Sequence, residues 1–535
     1  MNLKTTQTKL LIGISIFFTI FFNISFFEKT FAVYPISGSR IFFLLSLSLV
    51  LTSFINILLN LVRSKYATKP ILISLLFLST LAAYVMDSYG TVLDDTMFLN
   101  IFNTDTHEAF DLLSFRLLIY LIFLWIIPSF IIYKINLTSF SFKEEALSRL
   151  KSLLGSVLLI VVLLFSFGKN YASFFREQKT LRYYTNPTYY IYSVGKYISH
   201  FFDSNQTHID SLGLNAVVDR KGLKRQLIVF VVGETARRDH FSLNGYKKET
   251  NPYLKKENVV SFSNMTSCGT STAISVPCIF SNFGRSKFNN EKAASTENLL
   301  DILSHTKKVN ILWRDNNSNS KGVALRVPYE DYKQPPLNTI CDPECRDVGM
   351  LVGLQDYINT KKDGNVFIVL HQMGNHGPAY YKRYPPAFEK FKPVCQTNEL
   401  EKCSNEEINN AYDNATLYTD FFLSKVISLL KENSSNFGTS MFYISDHGES
   451  LGEKGLYLHS LPYFMAPDEQ KNIAAVLWFG GDTAKNINYD LLKKKAVKPY
   501  SHDNIFHTFL GLMKIKTPEY NKELDIFNDV FKINK

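Results

Sequence analysis

Five stretches in the first third of the chain, residues 10–27, 41–62, 71–86, 117–133 and 152–168, contain no Asp, Glu, Lys or Arg. Each is near the roughly 17 to 25 residues that an α-helix needs to cross a bilayer, where no water is present to satisfy an open backbone. One such run fits a buried helix of a soluble protein, but five in series do not. Residues 22–31 offer no small-residue cleavage pattern, so the first run reads as a span rather than a signal peptide. The expectation is a five-helix transmembrane domain over residues 1–168.

Lys and Arg in short loops set the orientation, because they are retained on the cytoplasmic side. With the N-terminus inside, the inner segments hold nine (Lys4, Lys9, Arg63, Lys65, Lys69, Lys134, Lys143, Arg149, Lys151) and the outer loops three (Lys29, Arg40, Arg116). The loop between the third and fourth runs is acidic, with Asp87, Asp94, Asp95, Asp105, Glu108 and Asp111, which agrees with an outer position. An odd number of spans leaves everything after Gly168 outside.

The cysteines test this independently. All six lie in the exported part as close pairs, Cys268 with Cys278, Cys341 with Cys345 and Cys395 with Cys403. Disulfides are expected in an oxidising compartment, although six cysteines allow about 15 connectivities and spacing does not choose among them. The net charge of +10 comes from dispersed residues on a part that faces away from nucleic acid. It suits anionic lipid headgroups better than a nucleic-acid partner.

Residues 169–215 are crowded with Tyr and Phe interleaved with Lys and Arg, the composition of a bridging segment at the membrane interface. Over residues 216–535, β-branched runs at 227–232, 309–313, 366–370, 441–444 and 473–478 alternate with helical stretches. That alternation predicts an α/β domain on a largely parallel central sheet with helices on both faces. Open α/β sheets hold ligands beyond the carboxyl ends of their strands. Glu234, Asn316 with Asn317, His371 with His376, and Asp446 with His447 follow four of these runs in turn.

Read as residues alone, Glu234, Asp446, His447 and a hydroxyl from Thr270, Ser271 or Thr272 form a hard metal site suited to zinc. The segment Ser267-Cys-Gly-Thr-Ser-Thr-Ala reads as a turn entering a helix, whose backbone N–H groups can hold a phosphate. A hydroxyl is a poor nucleophile at neutral pH, and a metal that lowers its pKa supplies the missing activation. Spacing does not choose among the three hydroxyls.

Five blocks in order resemble the signature of the lipid A phosphoethanolamine transferases, a family that includes the mobile colistin-resistance enzymes. They are Val232-Gly-Glu-Thr-Ala-Arg-Arg-Asp-His-Phe-Ser-Leu-Asn-Gly-Tyr, Ser267-Cys-Gly-Thr-Ser-Thr-Ala-Ile-Ser-Val-Pro-Cys, Trp313-Arg-Asp-Asn-Asn, His371-Gln-Met-Gly-Asn-His-Gly-Pro and Ser445-Asp-His-Gly-Glu-Ser. The resemblance implies five spans followed by a disulfide-rich domain of the alkaline phosphatase and sulfatase superfamily. It implies zinc ligation by Glu234, Thr272, Asp446 and His447, with Thr272 as nucleophile. Thr270, Asn317, Lys321, His376 and His459 would line the phosphoethanolamine pocket. One zinc would be tightly bound, with a second during turnover left open.

The implied reaction moves phosphoethanolamine from phosphatidylethanolamine through Thr272 to a lipid A phosphate, weakening the binding of cationic peptides such as polymyxin. The protein is expected to act as a monomer at the membrane. Rival readings are the same chemistry on core sugars or another periplasmic glycan, a sulfatase-like hydrolase or a lipoteichoic acid synthase on the same scaffold, and a non-catalytic membrane sensor. The last would need no metal ligands at strand ends.

Overall fold

The computed structural model describes residues 4–532 apart from 39, 63, 95–96, 99–100, 102–111, 139–140, 204–208, 220–223 and 343. Arg63 and the loop acids Asp95, Asp105, Glu108 and Asp111 therefore lie outside the described residues. The chain divides into two compact units, Met1–Phe98 with Leu113–Ser199, and Leu99–Leu112 with His200–Lys535.

The first unit is helical. Helices α1 (Gln7–Phe21) and α2 (Ile24–Val33) come from the first apolar run, α3 (Arg40–Asn60) from the second and α4 (Lys65–Tyr89) from the third. The fourth gives α5 (Phe115–Lys134), whose middle widens into a π turn over Leu121–Ile126 just before Pro128, and the fifth gives α6 (Phe142–Ser166). Pro128 has no N–H to give, and a π turn is a common way to absorb such a loss. Ser141 and Glu144 start α6 with a capping box.

Four helices among the described residues are long and apolar enough to cross a membrane alone. The first run, expected as one span, is a pair of helices bent by 55°. Asn23 sits at the break, and its side-chain amide donates to Phe18 O (2.9 Å) and Asn186 O (2.7 Å), groups a straight helix would not bring to it. With that pair counted as one span the total is five. Helix α7 (Gly168–Glu177) and the part of α8 (Thr188–Asp203) up to Ser199 complete the unit. Tyr171, Tyr184 and Tyr190 are buried within it, whereas Phe175 and Tyr192 stay exposed.

The second unit is built on a seven-stranded sheet: β1 (Gln226–Gly233), β2 (Val259–Ser261), β3 (Val309–Asp315), β4 (Tyr329–Asp331), β5 (Asn365–His371), β6 (Gly438–Ser445) and β7 (Ala475–Gly480). The order is β2-β7-β6-β1-β5-β3-β4. Strands β6, β1, β5, β3 and β4 run parallel, while β7 pairs antiparallel with β6 and β2 with β7. The sheet is thus mixed, with a parallel centre and an antiparallel edge.

Both faces are covered, as the unbroken apolar runs require. Along β1, Ile228, Phe230 and Val232 join one core while Leu227, Val229 and Val231 join the other. Helices α9 (Thr272–Phe280) and α11 (Ile505–Leu512) cover the first face, and α10 (Asn405–Glu432) the second. Phe230 is fully buried against Phe280 and Phe509, and its truncation to Ala is expected to cost about 3 to 5 kcal/mol. This rigid centre fixes the carboxyl ends of β1, β3, β5 and β6, from which the candidate site is assembled.

Candidate active site

Glu234 directly follows β1 and is fully buried. The next residue, Thr235, sits at φ 51°, a left-handed conformation costly for a β-branched residue. The strain is held in place by neighbours. Tyr412 on α10 donates its hydroxyl to Thr235 O (2.6 Å) and accepts from Arg237 N (2.8 Å), while Thr235 N donates to Asp446 Oδ1 (3.1 Å). Gly374 passes so close that an added Cβ would lie 2.9 Å from Glu234 O, at φ 52°, so glycine is required there.

Asp446 and His447 follow β6. Asp446 Oδ1 accepts from Thr235 N and from His447 N (2.7 Å), while its Oδ2 accepts no hydrogen bond among the described residues. His447 Nδ1 donates to Gly448 O (2.9 Å), which leaves Nε2 as a lone-pair donor aimed inward. That Nε2 lies 3.3 Å from Glu234 Oε1, from Asp446 Oδ2 and from Thr272 Oγ1. Ligand atoms of Glu234, Asp446 and His447 all lie within 4.8 Å of one another.

The hydroxyls that spacing left equivalent are separated by the turn entering α9. Thr272 is the first residue of the helix, and its hydroxyl donates to Glu234 Oε2 at 3.1 Å. Thr270 instead donates to Leu461 O (2.6 Å), and Ser271 Oγ is buried without a hydrogen-bond partner among the described residues. The Cys268–Cys278 disulfide ties the turn to the helix it opens. Cys341–Cys345 and Cys395–Cys403 are also disulfides, so each cysteine bonds its nearest neighbour.

Asn317 is fully buried, and its amide donates to Glu234 Oε2 (2.8 Å) and Gln372 O (3.0 Å). His459 packs with ring centroids 4.3 Å from His447 and 5.8 Å from His376, and its Nδ1 is 3.2 Å from Glu449 Oε1. Burial holds the imidazoles of His376, His447 and His459 below their usual range, His459 at about 4, so all three are neutral at neutral pH. Lys321 stands at φ 49° beside Ala273 and Pro277 on the wall of a cavity of about 380 Å³.

His502 carried no signal in the sequence. It is buried, accepts from Cys268 N at Nδ1 (3.0 Å) and donates from Nε2 to Ser445 O (2.9 Å). One neutral imidazole thereby fixes the turn that enters α9 against the end of β6. Burial lowers its pKa to about 4. Tyr412 was missed for the same reason: its partners are backbone atoms, which no motif announces.

Two buried carboxylates converging with a lone-pair imidazole are unfavourable by themselves, and the orphaned Asp446 Oδ2 shows that protein donors do not complete the set. A divalent cation ligated by Glu234, Asp446, His447 and the Thr272 hydroxyl would do so. This is an oxygen and nitrogen donor set suited to zinc.

Residues 226–515 match the family model described as Sulfatase, and residues 51–202 the model described as Phosphoethanolamine transferase EptA/EptB. The chain is 43% identical over 519 residues to the phosphatidylethanolamine transferase Mcr-1 of Escherichia coli, covering 95% of this chain and 94% of that protein. It is 38% identical over 534 residues to the phosphoethanolamine transferase EptA of Escherichia coli K12, covering 97% and 96%. Among solved structures, the integral membrane lipooligosaccharide phosphoethanolamine transferase A of Neisseria meningitidis superposes with a TM-score of 0.94 at 32% identity, over 99% of this chain and 100% of that one.

Proposed function

The chain belongs to the phosphoethanolamine transferase family, and from that premise we propose that it moves phosphoethanolamine from phosphatidylethanolamine to a lipid A phosphate through a covalent intermediate on Thr272. The observation that carries the reading is the Thr272 hydroxyl at the start of α9, within 3.1 Å of Glu234 Oε2 and 3.3 Å of His447 Nε2.

A zinc ion bound by Glu234, Asp446, His447 and Thr272 would lower the pKa of the hydroxyl and offset charge on the phosphoryl oxygens. The protein groups do the rest. Thr272 Oγ attacks phosphorus, the P–O bond to diacylglycerol breaks, and the threonine proton has Glu234 Oε2 as its nearest acceptor. The neutral imidazoles of His376 and His459 relay the proton lost by Thr272 to the departing diacylglycerol oxygen and, in the second half, relay the proton of the acceptor phosphate back to Thr272 Oγ. Lys321 offsets phosphoryl charge, and Thr270 shapes the pocket through its bond to Leu461 O. A lipid A phosphate oxygen then attacks the phosphothreonine and Thr272 leaves.

The working division is a membrane part at 1–168 with five spans in the inner membrane, a bridging segment at 169–215, and a catalytic domain at 216–535 in the periplasm. The protein acts as a monomer with one tightly held zinc, and the modification lowers susceptibility to polymyxin. The test is mass spectrometry of lipid A from a polymyxin-sensitive Gram-negative host. Phosphoethanolamine adducts are expected with the wild type and not with Thr272→Ala. Unmodified lipid A with a folded wild-type protein would redirect the search to core sugars and other glycans.

A further inference from the structure

His371 was singled out by its strand-end position and Asp315 lies in the Trp313-Arg-Asp-Asn-Asn block, but neither takes part in the steps above. Asp315 closes β3, His371 closes β5, and the parallel register pairs them directly. Both are fully buried. Asp315 Oδ2 accepts from His371 Nδ1 (2.9 Å) and from Trp313 Nε1 (2.8 Å), and Oδ1 accepts from Asn317 N (3.0 Å). Burial alone pushes the Asp315 carboxyl up, but His371 and these donors outweigh it and hold the group below the usual carboxylate range.

The chain of contacts does not stop at the backbone of Asn317. Asn317 Oδ1 accepts from Ser318 N (2.5 Å) and Ser318 Oγ (2.9 Å), which fixes the amide so that its nitrogen faces Glu234 Oε2 (2.8 Å). The same oxygen accepts from Thr272 at 3.1 Å. With Oε2 engaged twice, the other carboxylate oxygen, Oε1, is the one turned toward His447 Nε2.

We propose that Asp315 and His371 are a positioning pair for the metal centre: they lock the Asn317 loop, and through its amide they fix the rotamer of Glu234 that presents Oε1 for ligation. The inference rests on the reading of Glu234 as a zinc ligand. Neither residue touches the reacting atoms.

The test uses the full-length protein in lipid nanodiscs, with zinc affinity by chelator competition, thermal midpoint, kcat and KM measured together. Asp315→Asn and His371→Leu are expected to weaken zinc binding by about 10- to 100-fold and to lower kcat at limiting zinc by a similar factor, as loss of such supporting contacts does elsewhere. KM for phosphatidylethanolamine should stay within about twofold. His371→Asn, whose amide N–H can stand where Nδ1–H stood, should recover most of the affinity, and the His371 pair decides the matter should Asp315→Asn fail to fold. Wild-type zinc affinity in Asp315→Asn and His371→Leu, with only a lowered thermal midpoint, would overturn the proposal. Glu234→Gln separates the two levels: retained zinc there defeats the ligand reading itself, whereas zinc lost there and kept in the other variants defeats the positioning pair alone.

Discussion

In the membrane unit, polar side chains tie one helix to another, whereas at the strand ends of the catalytic unit they converge on a common point. Thr52 of α3 donates to Thr19 of α1 (2.8 Å), and Asn56 of α3 donates to Ser152 (3.0 Å) and Ser156 (2.9 Å) of α6. Each is a local pair that any comparable contact could replace. Glu234, Asp446, His447 and Thr272 come from three separate segments and meet within hydrogen-bonding distance, with Asp446 Oδ2 left without a donor among the described residues. Paired contacts of the first kind join helices, whereas a converging set of ligand atoms can hold a cation.

The largest break in that comparison comes from the proposed nucleophile. Thr272→Ala should reduce transfer by roughly four orders of magnitude or more, measured by turnover in nanodiscs, with the thermal midpoint of the zinc-free protein nearly unchanged. Comparable activity in the variant would move the chemistry elsewhere. The next effect is the metal's contribution to stability. Zinc at about a thousand times its Kd should stabilise the wild type by about 4 kcal/mol, seen as a thermal midpoint that rises with zinc and falls with chelator. Asp446→Asn should abolish that dependence.

Acid gives a smaller, graded effect. The folded pKa of His502, about 4, lies below the ordinary 6.5, so the unfolded chain takes up the proton first. Stability should therefore fall as pH drops from about 6.5 toward 4, at about 1.4 kcal/mol per pH unit for this one group. His502→Gln should flatten the slope of denaturation free energy against pH in that window, and an unchanged slope would remove His502 from the account. The smallest effect belongs to the membrane unit. Asn56→Leu should cost about 1 kcal/mol or less and leave kcat unaltered. A loss of activity there would mean that this contact does more than join helices.

The same contrast explains what could be read before the fold was known. Four long apolar helices were legible because their physics is compositional: a charge-free run of this length has few other uses. The bend at Asn23 was not, because it depends on Asn186, 163 residues away. Five of the seven strands were legible from β-branched runs, the three-residue edge strands β2 and β4 were not, and the antiparallel direction of β7 was hidden too, since a buried strand reads alike in either direction. At the site, residue types and strand-end positions brought Glu234, Asp446 and His447 together. The choice of Thr272 over Thr270 came from resemblance, and the geometric basis is a helix start that turns one hydroxyl toward Glu234 and the other toward Leu461 O. Supports such as His502 and Tyr412 stayed hidden because they act on backbone atoms.

The most direct measurement is peptide mass spectrometry of the purified full-length protein after incubation with phosphatidylethanolamine and no acceptor. The account predicts one phosphoethanolamine on the peptide holding Thr272, discharged when lipid A is added. An adduct on another residue, or turnover with no adduct formed, would contradict it.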